Sequence, residues 1–244
     1  MLNSRLSFED NACLEILKEM RKDGLTVEEI SSFLDVNKSS VSRYLNEDVV
    51  PSKKQRERIL SLAERMEITP EKLVRTYMQL KKTSSNQLVL SLGALLSNTR
   101  KLLLSLFLFF RKHPELADVD GVITVETEGI PIGVTTSLLL DVPVLYARRH
   151  RTLAWKNPIP IILERSNSII TETLFLDEYE LSKINRAIIV DDVVRTGTTL
   201  LALNKALGDL GVEVNAIMAL ASLKKDFDWT YPPTRGFHPI MIIE

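Results

Sequence analysis

The chain has 244 residues, with 31 Lys and Arg against 32 Asp and Glu, and this length holds one large domain or two small ones. The near-zero net charge excludes a wholesale polycation and leaves room only for a local basic surface. One cysteine, Cys13, excludes an internal disulfide and fits a reducing cytoplasm; the chain opens on no charged-then-apolar leader, and its most apolar run, residues 102–110, is far shorter than the ~20 residues of a membrane-spanning helix.

The first predicted helix covers residues 7–22, with Leu14, Leu17 and Met20 inward and Gly24 closing it. Thr26 followed three residues later by Glu29 is a capping-box signature, and Ile30, Phe33 and Leu34 supply the apolar face of a second helix. A tight turn, Asp35-Val36-Asn37, leads into a short helix over residues 38–45, with Asn37 as cap and Val41 and Leu45 inward. Two short helices joined in this way, the second rich in Ser, Lys and Arg, resemble the helix-turn-helix of phage-repressor-type DNA-binding domains. Ser31 and Asp35 depart from that pattern, which favours Ala and Gly there, although Asp tolerates the left-handed turn conformation. The resemblance implies that Asn37, Lys38, Ser39, Ser40, Ser42 and Arg43 face the major groove, with Lys53, Lys54, Arg56 and Arg58 extending the phosphate-facing surface. The other reading is a helical interaction domain with a solvated basic face. A further helix is expected over residues 52–66, and Thr69-Pro70 starts another. The polar break at residues 81–87 then divides the chain into a helical domain, 1–82, a linker, 83–91, and a second domain, 92–244.

The second domain opens on an apolar helix within residues 92–108, ending near His113-Pro114. A strand at 121–125 runs into Glu126-Thr127-Glu128-Gly129, a helix follows to Leu140, and a strand at 142–146 ends in Arg148-Arg149-His150-Arg151. Strands alternating with helices at this pitch predict a parallel sheet, which binds ligands beyond the carboxyl ends of its strands. Residues 152–180, with Asn157-Pro158-Ile159-Pro160, are expected as a long flap, and Trp155 is either part of it or a packing residue. The apolar strand 187–190 ends on Asp191 and Asp192, followed by Val193-Val194, then Arg195-Thr196-Gly197-Thr198-Thr199 and a helix marked by Leu200, Leu203 and Leu207. A Gly/Thr turn entering a helix offers free N–H groups and hydroxyls to an anion. An ionised carboxylate only accepts hydrogen bonds, so the acid pair suits a sugar diol instead. The last predicted strand is 212–220.

An apolar strand, two acids, two apolar residues and a Thr/Gly-rich phosphate turn form the pattern of the type I phosphoribosyltransferases, which residues 190–199 resemble, with Arg195 the least usual residue. The resemblance covers roughly residue 92 to the C-terminus. Residues 122–149 look closest to xanthine and other purine phosphoribosyltransferases and to archaeal transcription regulators built on the same domain. It implies an α/β fold, the type I phosphoribosyltransferase fold, a parallel sheet flanked by helices, here preceded by the small all-α domain. It further implies that Asp191, Asp192, Val193, Arg195, Thr196, Gly197, Thr198 and Thr199 bind the ribose 5-phosphate part of phosphoribosyl pyrophosphate (PRPP). The pyrophosphate would fall to Glu126, Thr127, Glu128, Gly129, Arg148 and Arg149, and the base to Lys225 with Phe227 or Trp229. Mg²⁺ is the implied cofactor, reaching Asp191 and Asp192 only through the ligand.

Glu128 is awkward beside a pyrophosphate, because like charges repel. That residue and the helix-turn-helix resemblance favour a DNA-binding transcription regulator with PRPP or a purine nucleotide as effector, over an active Mg²⁺-dependent purine phosphoribosyltransferase. The expected regulator is a cytoplasmic homodimer, or dimer of dimers, on double-stranded DNA at a palindromic operator.

Overall fold

A computed structural model describes residues 7–82, 88–163, 172–223 and 236–243. The chain divides into two compact units, Met1–Met78 with Gly93–Arg111, and Gln79–Leu92 with Lys112–Glu244.

The first unit is helical. Helix α1, Phe8–Lys22, starts on a reciprocal cap between Ser7 and Asp10, and α2, Val27–Leu34, on the one between Thr26 and Glu29. Asp35 takes the left-handed conformation, φ 55°, and turns the chain into α3, Lys38–Leu45. Helices α4, Lys53–Arg65, and α5, Pro70–Tyr77, follow, the latter with Thr69 as cap and Pro70 in its first turn. Leu17, Met20, Ile30, Leu34, Val41 and Ile59 form the centre of the core. The inner face of α3 is Val41 with Tyr44, while Leu45 is half-buried. Phe33, expected inside, is 48% exposed and lies under the Arg65 guanidinium. Cys13 is buried, and burial pushes its thiol up to about 12.

Some of the residues expected to face DNA are engaged within the helical unit. Lys38 lies 2.7 Å from Glu28, and the Asn37 side chain accepts hydrogen bonds from Ser40 N at 2.7 Å and Ser39 Oγ at 2.9 Å. Ser42 and Arg43 are exposed.

After α6, Gly93–Leu96, comes the apolar helix α7, Thr99–Lys112. Its expected place was with the second domain; residues as far as Arg111 group with the first unit, and Leu104 sits in the core of that unit. Ion pairs accompany that packing. Lys101 Nζ lies 2.6 Å from Glu15 and 2.8 Å from Glu19, all three nearly buried. Arg100 pairs with Glu15 and Glu47, and with Lys18 it holds the Glu47 carboxyl down to about 2.

In the second unit, β1, Gln79–Lys82, pairs antiparallel with β2, Leu88–Ser91, on either side of the polar break. The main sheet contains β3, Gly121–Val125, β4, Val144–Ala147, β7, Arg186–Val194, β8, Glu213–Leu223, and β9, Phe237–Ile243. Its order is β4-β3-β7-β8-β9 and every neighbouring pair is parallel. Helix α8, Gly129–Leu140, carries the chain from β3 to β4, and α10, Thr198–Asp209, from β7 to β8. Within the expected flap, β5, Pro158–Leu163, and β6, Glu172–Asp177, pair as antiparallel strands, followed by the single turn α9, Glu178–Leu181. Ala187 to Val190 are wholly buried, as an unbroken apolar run should be in a sheet covered on both faces. The strand does not stop at the acid pair, however. Asp191 and Val193 stay in register with Ala219 and Ala221 of β8, whereas pairing with β3 ends at Val190. Among the described residues no helix is long and apolar enough to cross a membrane.

Candidate active site

The carboxyl ends of β4, β3 and β7, neighbours in the sheet, release the three segments singled out in the sequence. A cavity of about 430 Å³ lies among Glu126, Thr127, Glu128, Gly129, Arg149, Asp191, Asp192 and Thr199, with Val125 at its base. A second, of about 190 Å³, is formed by Val193, Arg195, Thr196, Gly197, Thr198 and Thr199 with Asp191. Asp191 and Thr199 border both.

The turn between β7 and α10 has one position that a side chain would strain. Gly197 adopts φ 68° as the residue capping α10, a conformation that costs an L-residue about 1–2 kcal/mol. Gly197→Ala is therefore expected to lower unfolding free energy by about that amount, read from urea titration of the two proteins. The turn puts the first N–H groups of α10 and the hydroxyls of Thr196 and Thr198, 3.1 Å apart, around the smaller cavity. An anion there gains from both the unpaired N–H groups and the helix dipole.

The larger cavity is acidic. Asp191 Oδ1 accepts from Asp192 N at 3.0 Å, and burial pushes the Asp191 carboxyl up to about 6. Burial also raises Asp192, with the charge of Asp191 adding to it. Glu128 shares a hydrogen bond with Asp192, and that bond together with the Asp192 charge lifts Glu128 above the usual carboxylate range. Glu126 is turned the other way, accepting from the backbone N of Arg149. The Arg149 guanidinium pairs with Glu172 at the start of β6.

Of the two adjacent arginines, only Arg149 lines the cavity. Arg148 stacks over Tyr146 at 4.8 Å and near Trp155 at 5.6 Å, and its backbone exchanges hydrogen bonds with Phe175 of β6. Successive residues leaving a strand point to opposite faces, so the two cannot both reach one pocket. Trp155 thus has a packing contact. Lys225, Phe227 and Trp229 lie outside the described residues. Sequence reasoning missed Glu172, whose pairing with Arg149 depends on the β5–β6 hairpin, and it missed Thr124 of β3, which packs under Gly129 and Gly133. For Thr124 a signal existed: two glycines one helical turn apart leave a bare stripe that a neighbouring strand must fill.

Comparison with known proteins gives the geometry a context. A family model described as Pribosyltran, phosphoribosyl transferase domain, matches residues 108–244. The hypoxanthine/guanine phosphoribosyltransferase of Methanotorris igneus is 36% identical over 109 residues, 45% of this chain and 57% of that protein. The protein of the same name from Methanocella arvoryzae is 34% identical over 103 residues, 42% of this chain and 51% of that one. The chain thus spans about half the length of these curated relatives. Among solved structures, the adenine phosphoribosyltransferase of Thermoanaerobacter pseudethanolicus is similar with a TM-score of 0.59 at 17% identity, covering 72% of this chain and 100% of that one. The similarity to that structure concerns the fold.

These findings correct the expectation of a DNA-binding transcription regulator. The two relatives and the solved structure described above are named as phosphoribosyltransferases, and none of these matches ties the helical unit to a helix-turn-helix module or to double-stranded DNA. The expected homodimer or dimer of dimers was inferred from a two-fold palindromic operator, and it falls with the operator. What stands is a parallel sheet flanked by helices, preceded by a helical region.

Proposed function

Since the chain belongs to the phosphoribosyl transferase domain family through residues 108–244, we propose that it is an active phosphoribosyltransferase that joins a 6-oxopurine, hypoxanthine or guanine, to the ribose 5-phosphate of PRPP. The observation that carries this reading is the pair of adjoining cavities sharing Asp191 and Thr199, one acidic and one at a helix mouth. Relatives 34–36% identical and named hypoxanthine/guanine phosphoribosyltransferase support the choice of base.

In this reading the 5-phosphate sits against Thr196, Gly197, Thr198 and Thr199, with Val193 and Arg195 beside it. Asp191 and Asp192 accept hydrogen bonds from the ribose diol. The bond from the anomeric carbon to pyrophosphate oxygen breaks, a bond to a base nitrogen forms, and that nitrogen loses its proton. Fixing the diol and the phosphate at two points orients the anomeric carbon, and orientation is the larger part of what such a site contributes. Residues 126–129 and Arg149 border the space left for the pyrophosphate.

Carboxylate oxygens are the donor type a hard cation takes. Glu128, Asp191 and Asp192 bring carboxylates to one cavity, Glu126 there is engaged by the backbone N of Arg149, and Arg149, which also lines it, is paired with Glu172. Among the described residues no group of three or more His, Cys, Asp or Glu is arranged to hold a metal ion. Mg²⁺ would therefore arrive on the substrate, near Glu128 and the Asp191–Asp192 pair, and would supply charge neutralisation for the departing pyrophosphate.

The test is an assay with Mg²⁺, PRPP and, in turn, hypoxanthine, guanine, xanthine, adenine and orotate. Nucleotide is expected from hypoxanthine or guanine. Turnover with adenine alone would move the base assignment, and no nucleotide from any of the five would overturn the reading.

A further inference from the structure

Thr124 belongs to β3, paired with Val190, the residue before Asp191. Its side chain is completely buried, and its Oγ1 has no hydrogen-bond partner among the described residues. Buried hydroxyls without partners are uncommon, because desolvation is then uncompensated. A valine of the same shape would fill the space without leaving a polar atom stranded.

The surroundings suggest what the hydroxyl is for. A Cβ built on Gly129 would stand 2.4 Å from Thr124 Oγ1 and 3.2 Å from Asp191 Oδ1, so hydroxyl and carboxylate border the same methyl-sized notch at the mouth of α8. On the other side, Thr124 Cγ2 lies 2.7 Å from the corresponding point on Gly133, one turn along the helix. The methyl group is thus lodged against α8 while the hydroxyl faces the loop and the acid. Asp191 Oδ1 accepts from Asp192 N, and a carboxylate has further lone pairs to offer. An Asp held in a dry site keeps its charge better with each additional donor, and the charged form is what a sugar diol needs.

We propose that Thr124 is a positioning residue for the reaction: its hydroxyl is the reserve donor that Asp191 recruits when a ribose ligand binds, coupling the acid pair to the loop at residues 126–129. The inference rests on the phosphoribosyltransferase reading above, because it assigns the Asp191 carboxylate to a ribose. Thr124 touches no substrate atom in this account; it acts through Asp191.

Three variants separate a donor from a space-filler: Thr124→Val keeps the shape and removes the hydroxyl, Thr124→Ser keeps the hydroxyl and removes the methyl, and Thr124→Ala removes both. The Kd for Mg²⁺–PRPP by calorimetry, KM and kcat with the accepted base, and Tm are measured for each. Thr124→Val is expected to have an equal or higher Tm, with Kd and KM for PRPP raised about tenfold and kcat changed far less, the effect of losing one bond to a charged group. Thr124→Ser is expected to bind PRPP within about threefold of wild type, despite a lower Tm. Thr124→Val binding as tightly as wild type overturns the inference, and so does Thr124→Ser as impaired as Thr124→Val. Should the valine variant not fold, the Ser-against-Ala contrast decides on the same terms: equal loss in both overturns it. If wild type neither binds nor uses PRPP, the parent reading fails and takes this one with it; if wild type binds and the variants do not differ, only the role of Thr124 fails.

Discussion

Asp191→Asn is expected to yield a protein that is more stable than wild type at neutral pH and much poorer at using PRPP. The two effects have one cause. Asp191 is held up at about 6 by burial, against 3.8 in the unfolded chain, so the native state binds its proton more tightly than the unfolded state does. Stability from this group is fully present below about pH 3.8 and is lost as pH rises through about 6. Above that window the ionised, partly buried carboxylate costs up to about 3 kcal/mol, at 1.36 kcal/mol per pKa unit, and the amide removes that cost. Asp192 and Glu128 are raised as well, and neutralising Asp191 relieves Asp192 in the same direction. For function the amide is the wrong group: it replaces a charged acceptor, worth about 1.5–3 kcal/mol to a hydroxyl donor, so kcat/KM for PRPP should fall roughly 10- to 150-fold. Urea titrations of both proteins from pH 4 to 8 check the first part: the gap should be near zero at the acid end and widest above pH 6. A variant less stable than wild type at pH 8 would refute the burial account, and undiminished PRPP affinity would refute the diol assignment.

A group that destabilises the fold where it is charged is what a binding site retains against the interest of stability, and this bears on which features a sequence reveals. Asp191, Asp192 and the Gly/Thr turn, the proposed ribose 5-phosphate groups, stand out in the sequence because they succeed one another along ten residues of chain, and the carboxyl end of a buried strand brings them to one place. Distance along the chain hides the rest. The apolar stripe of α7 does not say which unit it joins; Leu104 packs in the core of the first unit, and Lys101 meets Glu15 and Glu19, some 85 residues upstream. Strand β5 is masked by Pro158 and Pro160, which argue against a strand; it pairs with β6 on a single edge, where a missing N–H on the other edge does no harm. Arg148 and Arg149 read as a uniform basic cluster until the alternation at the end of β4 is taken into account. Of the basic residues of α3, Lys38 has an acidic neighbour, Glu28, ten positions earlier in the chain, that a reading of α3 alone leaves out.

Gly129→Ala is expected to be the most disruptive single methyl that can be added near the site. The new Cβ would lie 2.4 Å from Thr124 Oγ1, nearer than real contacts come, and Thr124 cannot simply rotate away because its methyl is lodged against Gly133. Relief must come from the first turn of α8 lifting off the sheet, and that turn begins where the loop carrying Glu126 and Glu128 ends. Overpacking of this kind costs about 1–3 kcal/mol, and the displacement moves the carboxylates that face the ligand, so PRPP affinity should fall along with Tm. The explanation is specific enough to be reversed. In Gly129→Ala/Thr124→Ala the worst contact is gone, leaving Thr124 Cβ at 3.7 Å and the tighter Asp191 Oδ1 at 3.2 Å, so the double variant should be more stable than the sum of its parts by about 1 kcal/mol or more. Gly208→Ala in α10 supplies the opposite control: nothing lies within 4 Å of its Cβ position, and removing a flexible glycine from a helix should stabilise by about 0.5–1 kcal/mol. If Gly129→Ala and Thr124→Ala prove additive while Gly208→Ala behaves as expected, the close approach of β3 to α8 is not what requires glycine at 129.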